Sequence, residues 1–120
     1  MRAVSRGFLA RASMIDRCLA IRPGHRGDYP DQPEYGTTLY TGLHHHTRNI
    51  VTAATADAMI VLPGNWGTVQ EAAFALDNGT PVALYAAEEH EQFRSGMLLD
   101  LGLPELELST VANWLTALPA

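Results

Sequence analysis

The 120-residue chain predicts an α/β fold, Rossmann-like and three-layered, around a parallel sheet. Three observations carry that expectation. The apolar runs Ala58–Leu62 and Val82–Tyr85 lack polar alternation, so both faces of each strand are expected to be buried, as in a parallel sheet. Helix-compatible stretches separate the strands at the spacing of strand–helix–strand units, whose crossovers are right-handed. Between the strand Ala58–Leu62 and the following helix lies "LPGNWGTVQEA", which crowds Pro63, Gly64, Asn65 and Gly67 into one junction. That junction is at the carboxyl end of a strand, where such folds bind their ligands.

The N-terminus is rich in Arg and free of acids until Asp16, a composition shared with transit peptides. The spacing of Met1, Val4, Phe8 and Ala12 favours an amphipathic helix instead. "DRCLAIRPG" reads as a short buried strand, Arg17–Ile21, stopped by Pro23-Gly24. His25–Gly36 is a polar loop with prolines, long enough to be functional or mobile. Thr37–Gly42 is β-prone, and helix is expected over Leu43–Thr55. After the strand Ala58–Leu62, helix is expected over Gly67–Leu76, with Val69, Ala72, Ala73 and Leu76 inward and Gly79 closing it. The strand Val82–Tyr85 is followed by a polar helix over Glu88–Gly102, whose "AAEEHEQF" charge run reads as a solvated face. A strand at Glu105–Ser109 and a helix over Thr110–Leu118, capped by Ser109 or Thr110, complete the chain.

Length predicts a single domain over residues 1–120 with a real hydrophobic core. With 47% hydrophobic and 18% charged residues, the composition is that of a folded globular chain. A net charge of −5 argues against nucleic acid or an anionic membrane as partner, and no stretch approaches a membrane span. All eight basic residues are Arg. Without Lys there is no Schiff base, no pyridoxal phosphate anchor and no Walker-type lysine. The single Cys18 lies in an apolar run, which predicts a buried, inert thiol in a reducing compartment and hence a cytoplasmic location.

The Pro63–Thr68 loop has the chemistry of an anion site. Amides at a helix N-terminus have no intrahelical partner and lie at the positive end of the helix dipole. Gly64 and Gly67 would let the backbone approach a phosphate with no Cβ in the way, Asn65 tolerates positive φ, and Thr68 adds a hydroxyl. Glu71, placed in the first helical turn, is wrong in sign for a phosphate ligand and fits an acid/base or ribose-binding role. Gly-rich strand–helix turns also occur without ligands, and a Glu in a first turn can simply complement the dipole.

"PGNWGTVQE" resembles the PGGxGTxxE signature of the LOG ("Lonely Guy") family, once labelled lysine-decarboxylase-like and related to molybdenum-cofactor carrier proteins. Asn65 replaces the second glycine of that signature. Arg48, in "HTRNIVTAATADAMIVLPG", stands 23 residues before Glu71, like the family's paired Arg and Glu. "GTPVALY" and "MRAVSRGFLARA…IRPG" extend the resemblance over most of the chain. "TLYTGLHHHTRNIV" stands where cytokinin-activating members carry a Met-His-Glu-Arg-Lys stretch, which makes the chain more similar to the carrier-like branch. The decarboxylase label conflicts with a chain that has no Lys. Family members begin with a strand, a glycine-bearing loop, a helix and a second strand, whereas Met1 falls near the start of the second helix. The resemblance therefore implies an N-terminally truncated domain. In the strand order 3-2-1-4-5-6 the two missing strands separate the third from the fourth. Arg17–Ile21 is then expected either beside a later strand of its own chain or covered by a second copy in a symmetric homodimer.

The resemblance implies hydrolysis of the N-glycosidic bond of an AMP-like nucleoside 5′-monophosphate, releasing base and ribose 5-phosphate. In that reading the amides of Pro63–Thr68 hold the phosphate, Glu71 activates water or stabilises the oxocarbenium-like centre, and Arg48 orients Glu71 or binds phosphate. The alternative is a non-catalytic carrier of a nucleotide or a phosphorylated pterin. Trp66 is open to stacking on a base or to a packing contact. His44, His45 and His46 lack a convergent carboxylate or Cys, so a role at the substrate's edge is expected before a metal site. Asp57 reads as a cap or turn residue. No metal and no cofactor are expected.

Overall fold

The computed structural model describes residues 2–10, 18–30 and 36–119. It is an α/β fold whose strands pair in parallel. In chain order the elements are α1 (Arg2–Leu9), β1 (Leu19–Arg22), β2 (Thr37–Tyr40), α2 (Arg48–Ala54), β3 (Met59–Val61), α3 (Trp66–Asp77), β4 (Val82–Tyr85), α4 (Ala87–His90), a 3-10 helix (Arg94–Leu101), β5 (Glu105–Leu106) and α5 (Val111–Ala117). The chain divides into two compact units, Met1–Arg48 and Asn49–Ala120. No described helix is long and apolar enough to cross a membrane.

In the first unit β1 pairs in parallel with β2, from Leu19 opposite Thr37 to Arg22 opposite Tyr40. The early strand thus finds its partner in its own chain, in the β-prone segment that follows it. Pro23-Gly24 ends β1, and the Gly24 N–H bonds to the Leu43 carbonyl at 2.9 Å. Gly36, with φ of +75°, precedes β2, and a Cβ there would lie 2.9 Å from the Cys18 Cβ. Only glycine suits both the conformation and the space. Cys18 is half-buried, not buried as expected, and its carbonyl accepts the Thr37 N–H at 2.9 Å. Val4 is 50% exposed and Ser5 buried, so the described part of α1 does not follow the apolar face predicted for it. Met1 and Ala12 of that face, Arg17 of the predicted strand and residues 31–35 of the loop lie outside the described residues, as does the side chain of Phe8.

The second unit carries a parallel sheet in the order β3-β4-β5, with Val61 opposite Leu84 and Tyr85 opposite Leu106. Val82, Ala83 and Leu84 are all buried, which is why β4 reads as an unbroken apolar run. Burial of a side chain such as Leu84 stabilises the fold by about 1.5–3 kcal/mol. Ala72 and Ala75 of α3 and Ala53 of α2 join Val61, Val82, Leu84 and Leu98 in the core, their small side chains letting the backbones come close. Ala73, expected inward, is exposed, because the line of α3 that packs into the core is Ala72–Ala75 and Ala73 lies about 100° round the helix from Ala72. Two bonds close α3: Gly79 N–H to the Leu76 carbonyl (3.0 Å) and Thr80 N–H to the Ala75 carbonyl (2.9 Å), with Gly79 at φ +74°. This is the paired-bond glycine termination that the "DNGT" sequence predicts.

The stretch after β4 departs from the sequence expectation. In place of one polar helix over Glu88–Gly102, α4 lasts only four residues and a 3-10 helix follows. At three residues per turn Ser95 and Leu98 fall on one line, and both are buried. Helix α2 also starts later than expected, at Arg48, after exposed His44–Thr47.

Candidate functional site

The site grows from the end of β3. The chain leaves the sheet at Val61, passes through Leu62–Gly64 and enters α3 at the N-cap Asn65. Asn65 has φ −99° and ψ −150°, extended backbone open to any residue, so positive φ does not explain its presence. Its side chain makes no capping bond. The first intrahelical bond runs from Val69 N–H to the Asn65 carbonyl at 3.1 Å, leaving the N–H groups of Trp66, Gly67 and Thr68 ahead of the helical ladder.

Gly64 and Gly67 serve different ends. A Cβ on Gly64 would collide with the Thr68 hydroxyl and lie 2.9 Å from the Thr68 Cβ. Glycine here makes room for Thr68, which folds back over the loop. A Cβ on Gly67 would meet only Asn49 Nδ2, at 3.8 Å, so the Gly67 face of the first turn is open. Asn49 is itself buried and donates through Nδ2 to Gln70 Oε1 at 2.8 Å, tying α2 to the middle of α3.

A buried polar chain fixes the loop from the other side. The Gly64 N–H donates to Ser95 Oγ at 3.0 Å, and the Gly64 carbonyl accepts the Ser95 N–H at 2.9 Å. Ser95 Oγ is 2.8 Å from His90 Nδ1, and His90 Nε2 is 3.0 Å from the Tyr85 carbonyl. A carbonyl only accepts, so Nε2 carries the proton, and in the neutral ring Nδ1 is the acceptor. The Ser95 hydroxyl then donates to His90 while accepting from Gly64. His90 and Ser95 are both fully buried, and both ring nitrogens and the hydroxyl have hydrogen-bond partners. Glu88, Glu89, Glu91 and Gln92 are exposed, as the reading of "AAEEHEQF" as a solvated face expects, and His90 is the exception. The sequence signal was absent, since a His between glutamates looks solvent-facing until residues 64 and 95 are known to meet.

Glu71 is half-buried and lies in the second turn of α3, not the first. It is about 7.5 Å further along the axis than Trp66. Cα–Cβ bonds in a helix tilt toward its N-terminus, the end of α3 that carries the loop. Arg48 is half-buried at the first position of α2 and closes the first unit, while Glu71 belongs to the second. Pro63 is half-buried in the loop, and Trp66 is exposed at the start of α3. Asp57 is exposed in the bend before β3. His44, His45 and His46 are exposed, with ring centroids 5.3–5.6 Å apart for the pairs that include His46. Among the described residues no three His, Cys, Asp or Glu side chains converge on a metal position.

Comparison with known proteins adds one finding. The model of the SLOG cluster4 family matches residues 1–107. No curated protein and no solved structure matches the chain.

Proposed function

The chain belongs to the SLOG cluster4 family, and on that premise we propose that it binds a nucleoside 5′-monophosphate at Pro63–Thr68. One observation carries the reading. The N-terminus of α3 has no side-chain cap, opens at Gly67, and stands on a loop held rigid by Ser95. An anion there meets N–H groups of Gly67 and Thr68 and the positive end of a twelve-residue helix. The relation to LOG-like proteins adds the reaction. Water adds to C1′ of the ribose as the C1′–N bond breaks; its hydroxyl stays on C1′, and its proton passes by way of Glu71 or solvent to the departing base nitrogen. Glu71 takes the proton from that water or stabilises the positive charge at C1′. Arg48 orients Glu71 or binds phosphate. The other reading, a carrier that holds a nucleotide or a phosphorylated pterin without turnover, uses the same loop.

Calorimetry with AMP tests the site, and chromatography of free adenine tests the reaction. The expected result is binding by the wild type and its loss in Gly67→Asp, which sets a carboxylate against the phosphate. Equal affinity of the two proteins would refute phosphate binding at this loop. Binding with no adenine released would select the carrier.

A further inference from the structure

Beside the loop lies a cavity of about 390 Å³ with Trp66 in its wall. Trp66 is the first residue of α3 and is 59% exposed. The Arg94 guanidinium carbon sits over its indole, 5.5 Å from the ring centroid. Phe93, Met97 and Glu91 also line the cavity, and Phe93 and Met97 keep much of their surface in solvent. This wall is anchored to the loop. Arg94 and Gly96 flank Ser95, whose backbone N–H and side-chain hydroxyl both bond to Gly64. Gly96 permits the close approach, because a Cβ there would lie 2.8 Å from the His90 carbonyl. Cavity and loop are thus parts of one hydrogen-bonded piece.

We propose that this cavity is the base subsite of the nucleotide, a deepening that rests on the phosphate-binding reading of the loop. The heterocycle stacks on Trp66 beside Arg94 while the phosphate lies on the Gly67 and Thr68 amides. An indole and a guanidinium both present flat, polarisable faces to a planar ring. The guanidinium can also donate to ring nitrogens or carbonyls, and the Glu91 carboxylate can accept from an exocyclic amine. The volume is that of a small-molecule site, and the open lining sets aromatic and aliphatic side chains beside one cation and one anion, groups able to contact both the faces and the edges of a heterocycle. Adjacency to an anion-binding helix end selects a phosphorylated ligand over a neutral one.

Trp66→Ala is compared with wild type in a Trp114→Phe background, where Trp66 is the sole indole. Four probes are titrated by fluorescence and calorimetry: AMP, GMP, adenosine and ribose 5-phosphate. Both nucleotides are expected to quench Trp66 and to bind roughly 5- to 150-fold more tightly than ribose 5-phosphate. Trp66→Ala, read by calorimetry, should erase that advantage while ribose 5-phosphate binds as before, which also shows that the variant is folded. Trp66→Phe should retain part of it. If the nucleotides bind no more tightly than ribose 5-phosphate, the subsite is refuted and the loop reading stands. Adenosine binding that Trp66→Ala abolishes, with ribose 5-phosphate inert, would support the subsite and remove the phosphate from the loop. Failure of all four probes to bind overturns both.

Discussion

Replacing Ser95 by Ala tests the buried chain that holds the loop. The substitution removes one hydroxyl with two partners: His90 Nδ1 at 2.8 Å and the Gly64 N–H at 3.0 Å. His90 is fully buried, and its Nε2–H is already committed to the Tyr85 carbonyl, so a change of tautomer relieves nothing. Leaving Nδ1 without a donor costs about 1–3 kcal/mol. Gly64 is half-buried, so water can reach its N–H, and that loss adds about 1 kcal/mol or less. The backbone bond from Ser95 N–H to the Gly64 carbonyl survives the substitution. The expected total is about 1–4 kcal/mol, which for a chain of this length lowers Tm by about 4–16 °C. Urea unfolding followed by circular dichroism measures the stability, and amide hydrogen exchange at Gly64 reports the loop itself. Thr116→Ala is the control: its exposed hydroxyl bonds back to the Ala112 carbonyl, and its loss should stay within about 0.5 kcal/mol. If Ser95→Ala matches that control and Gly64 exchange is unchanged, the chain does not hold the loop.

If the protein hydrolyses AMP, Glu71→Gln should lower kcat by about 100-fold or more with little change in AMP affinity, as loss of a general base does; an unchanged rate would remove Glu71 from the chemistry. Arg48→Ala in the same assay should lower kcat with unchanged affinity if Arg48 orients Glu71, and weaken AMP binding if it contacts phosphate. Ala86, with φ 56° and ψ 54° between β4 and α4, adopts a left-handed conformation costly for any residue with a Cβ. Ala86→Gly should therefore raise stability by about 1 kcal/mol in urea unfolding, and a loss would show that the Ala methyl packs more favourably than its backbone is strained.

Local signals explain what the sequence by itself determined. Val82, Ala83 and Leu84 are buried in succession and so on both faces of β4, and their apolar run announces a parallel-sheet strand without reference to any partner. Gly79 ends α3 with bonds to residues three to five positions away, and such turn chemistry is written in adjacent residues. The loop Pro63–Thr68 was legible for the same reason, as was its place at a strand–helix junction. Tertiary structure decided the rest, because those features depend on residues distant in the chain. Gly64 meets Ser95 across 31 positions, and that meeting turns His90 from an apparent surface residue into a buried one. Helix α3 sets Ala72 and Ala75 against the core, which leaves Ala73 in solvent, and its start at Trp66 puts Glu71 in the second turn. Pairing of β1 with β2 is equally non-local: short apolar segments carry no mark of which neighbour they will meet, and backbone hydrogen bonds between strands are indifferent to sequence. Periodicity and turn residues report what a segment can be, and only packing selects which of its polar groups go inside and with what partner.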